Sequence, residues 1–130
     1  MTESEMKLRT KVFALRVLKL IDSLPNTRSG RVLAAQLGRS GTSVGANYRA
    51  ACRSRSVAEM ISKFAVVEEE ADESAFWIEL IGDHGVVPAV KLASLLREAG
   101  ELTAMMVASR KTLSAKERKS KIENRKSKVR

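Results

Sequence analysis

Residues 39–56 read RSGTSVGANYRAACRSRS, a run of small residues, one Asn and four arginines without a single acid. Together with Gly38, the glycines Gly41 and Gly45 stand three and four positions apart, the spacing that puts side chains on one helical face. Each glycine costs a helix interior about 1 kcal/mol relative to Ala. A helix here therefore needs compensation, and close approach of a second helix to the bare face provides it. Leu33, Leu37, Val44 and Tyr48 form a regular apolar row through the same stretch, and Arg39, Ser43 and Asn47 follow a second row at four-residue spacing. Both rows predict one helix over residues 29–53.

The same periodicity extends outward in both directions. Upstream, a helix is predicted over residues 4–24, with Leu8, Val12 and Leu15 on one stripe and Phe13, Val17, Leu20 and Leu24 on its neighbour. Two adjacent stripes predict burial over a wide face. Pro25 and Asn26 end it, and Asn26, Thr27 or Ser29 supplies the next cap. Downstream, the serines of residues 54–56 offer a turn and a cap for a third helix running to about residue 82, with Val57, Ile61, Phe64, Ala71, Ala75 and Ile78 as its core stripe. Gly82, Asp83, His84 and Gly85 form a stop signal. Pro88 suits the first turn of a fourth helix, which Leu92, Leu95, Ala99, Leu102, Met106 and Leu113 sustain. No period-two segment appears. The predicted fold class is all-α, an antiparallel up-down four-helix bundle over residues 1–113, followed over residues 114–130 by a basic segment that is a disordered tail or a frayed helix end.

Charge is unevenly placed along the 130 residues, which carry a formal net +9. Residues 110–130 hold ten Lys/Arg against Glu117 and Glu123, a net +8, leaving +1 for residues 1–109. Basicity thus belongs to the tail. Cys52 is the only cysteine, which excludes an intrachain disulfide, a CxxC pair and a four-cysteine zinc site. The start, MTESEMKLRTK, lacks the basic-then-apolar order of a secretory signal, and no uncharged apolar run approaches the roughly 18 residues of a membrane span. A soluble, cytoplasmic protein is expected.

The middle of the chain resembles a known family. Arg39-Ser-Gly-Thr-Ser-Val-Gly-Ala-Asn-Tyr-Arg, then Arg55-Ser56, Glu59, Lys63 and Glu70-Ala-Asp-Glu-Ser with Trp77, Glu79 and Leu80, look like the four-helix-bundle proteins of bacterial large-subunit ribosomal RNA intervening sequences. That family is similar to the accessory protein of diversity-generating retroelements. The resemblance covers residues 11–112 and implies an up-down bundle assembling into a homopentameric ring.

Little in the sequence suits catalysis. One His and one Cys lie far apart, GxSxG and HExxH are missing, and no glycine loop is built to cradle phosphates. Glu68, Glu69 and Glu70 are sequential and point in different directions around a helix. A di-iron site needs Glu-x-x-His on two helices, and the only histidine is His84. No enzyme, no metal and no cofactor are expected.

Two sets of functional residues remain. Arg39, Ser43, Asn47, Arg49, Arg53 and Arg55 on helix two, with Glu70, Asp72, Glu73 and Trp77 on helix three, are expected to form an assembly or polar network, because opposite charges on neighbouring helices favour pairing. Arg110, Lys111, Lys116, Arg118, Lys119, Lys121, Arg125, Lys126, Lys128 and Arg130 are expected to bind RNA or DNA non-specifically by counterion release. Several arms on one ring would act multivalently. The alternative is an oligomeric scaffold that docks a protein partner, such as a reverse transcriptase or ribonucleoprotein component, without touching nucleic acid.

Overall fold

Three side chains start three helices. The Thr2 hydroxyl accepts the Glu5 amide at 3.1 Å while the Glu5 carboxylate accepts the Thr2 amide, a reciprocal box that opens α1, Glu3–Asp22. Thr27, one of three predicted caps, accepts the Gly30 amide at 3.0 Å and opens α2, Arg28–Cys52. Ser56 accepts the Glu59 amide at 3.1 Å and opens α3, Val57–His84. Gly85, at φ 80°, closes α3 in the left-handed conformation that glycine adopts without a Cβ penalty. The last helix, α4, spans Ala89–Val129, with Pro88 immediately before it. This computed structural model describes residues 1–129. Arg130 lies outside the described residues.

The helices form a four-membered all-α bundle in which α1 meets α2 and α4, and α3 meets α2 and α4. Phe13, Leu37, Ile78, Ile81, Leu102 and Met106 are fully buried at its centre. The predicted rows of α2 and α4 are the buried ones, through Leu33, Leu37, Val44 and Tyr48 and through Leu92, Leu95, Ala99, Leu102 and Met106. Helix α1 differs from expectation. Its Phe13 and Val17 stripe is in the core, but Leu8 is 63% exposed, Val12 44% and Leu15 52%. Helix α1 packs closely on α2 and only thinly on α4, so its second apolar stripe faces outward. Val57, predicted on the core stripe of α3, is exposed at the first turn.

The bare face of α2 lies on α1. A Cβ built on Gly41 would sit 2.7 and 2.8 Å from the two Val17 methyls, on Gly38 3.1 Å from the Ile21 Cδ1, and on Gly45 3.3 Å from the Thr10 hydroxyl. This is the compensation that the three glycines require. Beneath the α2–α3 seam, Ser40 and Ser74 are both fully buried, and the Ser74 hydroxyl donates to Ser40 at 2.9 Å. Two small hydroxyls thereby satisfy one another where larger apolar residues would hold the helices apart.

Arg9 ties α1 to α4. Its Nε donates to Glu98 at 2.9 Å and its Nη2 to Glu98 and Glu101 at 2.6 Å each, a forked arrangement matched to carboxylates. The Arg9 hydrogen bonds hold the Glu98 carboxyl below the usual carboxylate range. A depressed pKa contributes stability that is present above the unfolded-state value and is lost as pH falls through the folded one. Chemical denaturation between pH 7 and pH 3 should therefore show an acid-limb loss that Glu98→Gln makes shallower. An unchanged limb in that variant would remove Glu98 as its source.

Residue 114 is the expected domain boundary, with a disordered tail or a frayed helix end beyond it. In the structure α4 passes that point unbroken and stays helical to Val129. Residues 114–129 contain no Gly or Pro and are dominated by Lys, Arg, Glu and Ser, and Glu117 pairs with Lys121 one turn on at 3.6 Å. Packing does fade where the apolar spacing does: Leu113, Ser114 and Glu117 are half-buried, and residues 118–128 are exposed.

Candidate functional site

From Lys111 to Lys128 the surface of α4 is cationic. Lys111, Lys116, Arg118, Lys119, Lys121, Arg125, Lys126 and Lys128 are all exposed. Arg118, Lys121, Arg125 and Lys128 follow at three and four residues, which aligns them on one side, while Lys119 and Lys126 lie seven apart on another. Arg110 departs from the expected set. Its Nε donates to Glu68 of α3 at 2.8 Å, and the two side chains are 30% and 24% exposed. This arginine joins the packing of α4 on α3, a contact that only the fold could supply because 42 residues separate the partners. Arg130, the last of the expected set, lies outside the described residues.

The polar network on α2 and α3 is smaller than expected. Arg39 reaches across to both Glu70, at 3.2 Å, and Glu73. Ser43 donates instead to the Arg39 carbonyl at 2.6 Å, and Asn47 to the Ser43 carbonyl at 2.9 Å, so both serve their own helix. Among the described residues Arg49, Arg53, Arg55 and Asp72 make no ion pair. Trp77 packs edge-on against Phe76, with ring centroids 5.0 Å apart, and its Nε1 is buried without an acceptor. It lines an open groove of about 400 Å³ with Val32, Leu33, Leu80, Ser29 and His84. At the rim His84 Nε2 lies 3.0 Å from the Ser29 hydroxyl.

Residues that sequence reasoning misses are those paired over long separations: Arg9 with Glu98 and Glu101, and Ser40 with Ser74. An arginine on the flank of an apolar stripe is the signal for the first, and a lone serine within an apolar row for the second. Burial pushes the Cys52 thiol up from its ordinary value, away from the thiolate a nucleophile requires. No group of three or more His, Cys, Asp or Glu able to hold a metal occurs among the described residues. No helix among them is long and apolar enough to cross a membrane.

Residues 2–108 match a protein family described as 23S rRNA-intervening sequence protein. Among solved structures, the chain is similar to a protein of unknown function from the S23 ribosomal protein family of Bacteroides thetaiotaomicron VPI-5482. The two are 30% identical with a TM-score of 0.79, over 85% of this chain and 99% of the other. Neither description carries an enzymatic activity. No curated protein matches the sequence.

Proposed function

We propose that this chain, which belongs to the family of 23S rRNA-intervening sequence proteins, is a non-enzymatic, homo-oligomeric bundle that holds RNA or DNA electrostatically through the basic extension of α4. The carrying observation is the eight exposed cations from Lys111 to Lys128, six of them on the part of α4 beyond residue 117. A phosphate neutralised by each Lys or Arg releases a counterion, so such a surface needs no shaped pocket. A helix also holds its charges at defined spacing, which a disordered arm does not. Aromatic residues are missing from residues 110–130, so base stacking contributes nothing to the contact.

An antiparallel up-down arrangement supports this reading, since it would carry α4 past the start of α3 after Lys121, the last α4 residue to line a groove with Ala58 and Ile61. The pairing of Arg9 with Glu98 and of Arg16 with Ser94 runs in opposite senses along α1 and α4, and the glycine contacts run likewise along α2 and α1. A homopentameric ring would present five such extensions and bind multivalently. The exposed Leu8, Val12 and Leu15 stripe supports assembly, since contiguous exposed apolar residues on a helix mark contact surfaces.

The test is a salt titration of RNA and duplex DNA binding. Full-length protein is compared with a variant carrying Gln at Lys116, Arg118, Lys119, Lys121, Arg125, Lys126 and Lys128. The slope of log affinity against log salt should flatten by about 0.7 to 0.9 for each phosphate that the variant no longer neutralises. Unchanged affinity and slope would remove nucleic acid from α4. The groove lined by Trp77, Val32, Leu33 and Leu80 favours a second reading, a scaffold that docks the apolar side of a protein segment.

A further inference from the structure

Helices α1 and α2 leave an open groove of about 410 Å³ on their outer side. Gly45 and Ala46 floor it, so the small residues that bring the two helices together also leave the furrow between them unfilled. Its walls are Lys7, Leu8, Lys11 and Arg49, and no acid lines it. Among the described residues Lys11 and Arg49 have no ion-pair partner, and Lys7 makes only an exposed contact with Glu3 at 3.9 Å.

A complementary surface lies on α3. Glu69, Asp72, Phe76, Glu79 and Asp83 follow at alternating three and four residues and share the outward face. Phe76 is 52% exposed, although burial is where a phenyl ring gains most. The four acids around it are exposed and make no ion pair among the described residues. This is an apolar knob in an acidic collar, and the α1–α2 groove is an apolar slot between cationic walls.

We infer that the α3 ridge of one copy seats in the α1–α2 groove of a second copy, Phe76 entering against Leu8 and Ala46 while the acids meet Lys7, Lys11 and Arg49. The inference rests on the oligomeric part of the proposed function and specifies its interface. Groove and ridge are different surfaces of one chain, so the contact is head-to-tail. Such a contact closes into a ring when its rotation allows and otherwise grows as a filament, whereas a two-fold dimer would need one surface to match itself. It also assigns a role to Arg49 and Asp72, which make no ion pair among the described residues, and to the outward leucine Leu8.

Light scattering on the full chain at low micromolar concentration tests this, with circular dichroism to verify helical content. Wild-type protein should show a mass several times 14.3 kDa. Ala46→Trp fills the groove and Phe76→Lys sets a cation against cations; each should run near 14.3 kDa with its helix content kept. Mixed in equal amounts, they retain one intact groove and one intact ridge and should pair at about twice 14.3 kDa. Arg49→Glu, at an exposed position, gives the same groove readout should Ala46→Trp fail to fold. A wild-type monomer would overturn the oligomeric reading itself. A wild-type oligomer whose mass survives both substitutions, or two monomeric variants that do not pair on mixing, would overturn this interface alone. Variants that lower nucleic-acid affinity at unchanged mass would reassign the groove to phosphates and overturn it too.

Discussion

Leucine at position 41 prevents the native bundle from forming. The substitution replaces a poor helix former with a good one, a local gain of roughly 0.8 to 1 kcal/mol, and on propensity alone it would stabilise α2. The gain is overridden because the first added atom already falls 2.7 Å from a Val17 methyl, and three more carbons follow. Overpacking a filled core typically costs about 1 to 3 kcal/mol and more when backbones must separate. Here α1 and α2 must move apart along the whole Gly38, Gly41 and Gly45 face. Such a loss is a large part of the roughly 5 to 15 kcal/mol that stabilises a domain. Gly41→Ala is the graded version and should still lower the denaturation midpoint. Combined with Val17→Ala, which empties the space the new methyl invades, it should cost less than the two single changes added together. Strict additivity in that cycle would show that the helices do not meet at this point.

Phe13→Ala should lower the unfolding free energy by about 3 to 5 kcal/mol, the range for emptying a filled aromatic site. Phe13 is fully buried at the centre of the core cluster, so nothing short of rearranged helices closes the void. The comparison that gives the measurement meaning is Leu8→Ala, one and a half turns earlier on the same helix. Leu8 is 63% exposed, and its truncation should stay within about 0.5 kcal/mol when measured by denaturation at nanomolar chain concentration. Equal costs at the two positions would mean that both stripes of α1 are buried within one chain.

That pair also shows where sequence reading succeeds and where it stops. Periodicity finds helices because a 3.6-residue repeat is a local property, and the caps at Thr27 and Ser56 are local too. The core rows of α2 and α4 follow directly, since each has one dominant stripe. Helix α1 has two stripes of similar apolarity, and choosing between them requires knowing which side α2 covers and how thinly α4 meets it. The candidate site divides on the same ground. The basic residues of α4 are legible as a composition shift, but composition alone also places Arg110 among them, because its partner, Glu68, is distant in sequence. Arg39 meets Glu70 and Glu73, as the opposite charges of α2 and α3 predict. Ser43 and Asn47, expected to join them, do not: a short polar side chain within a helix finds the carbonyl one turn back more readily than a residue on another helix.

The unbroken length of α4 has an electrostatic consequence. Acids on α3 would repel a polyanion near them; Glu59, nearer the extension, is paired with Lys63, and their dense run starts at Glu68, which pairs with Arg110 of α4. Lys128 is eighteen residues further along the same helix, roughly 27 Å away at about 1.5 Å per residue. At physiological ionic strength charges are screened over about 8 Å, so the end of α4 lies more than three screening lengths from that carboxylate. A helical extension thus keeps the last cations of α4 electrically separate from that run of acids, where a collapsed arm of the same composition would have folded them back onto it.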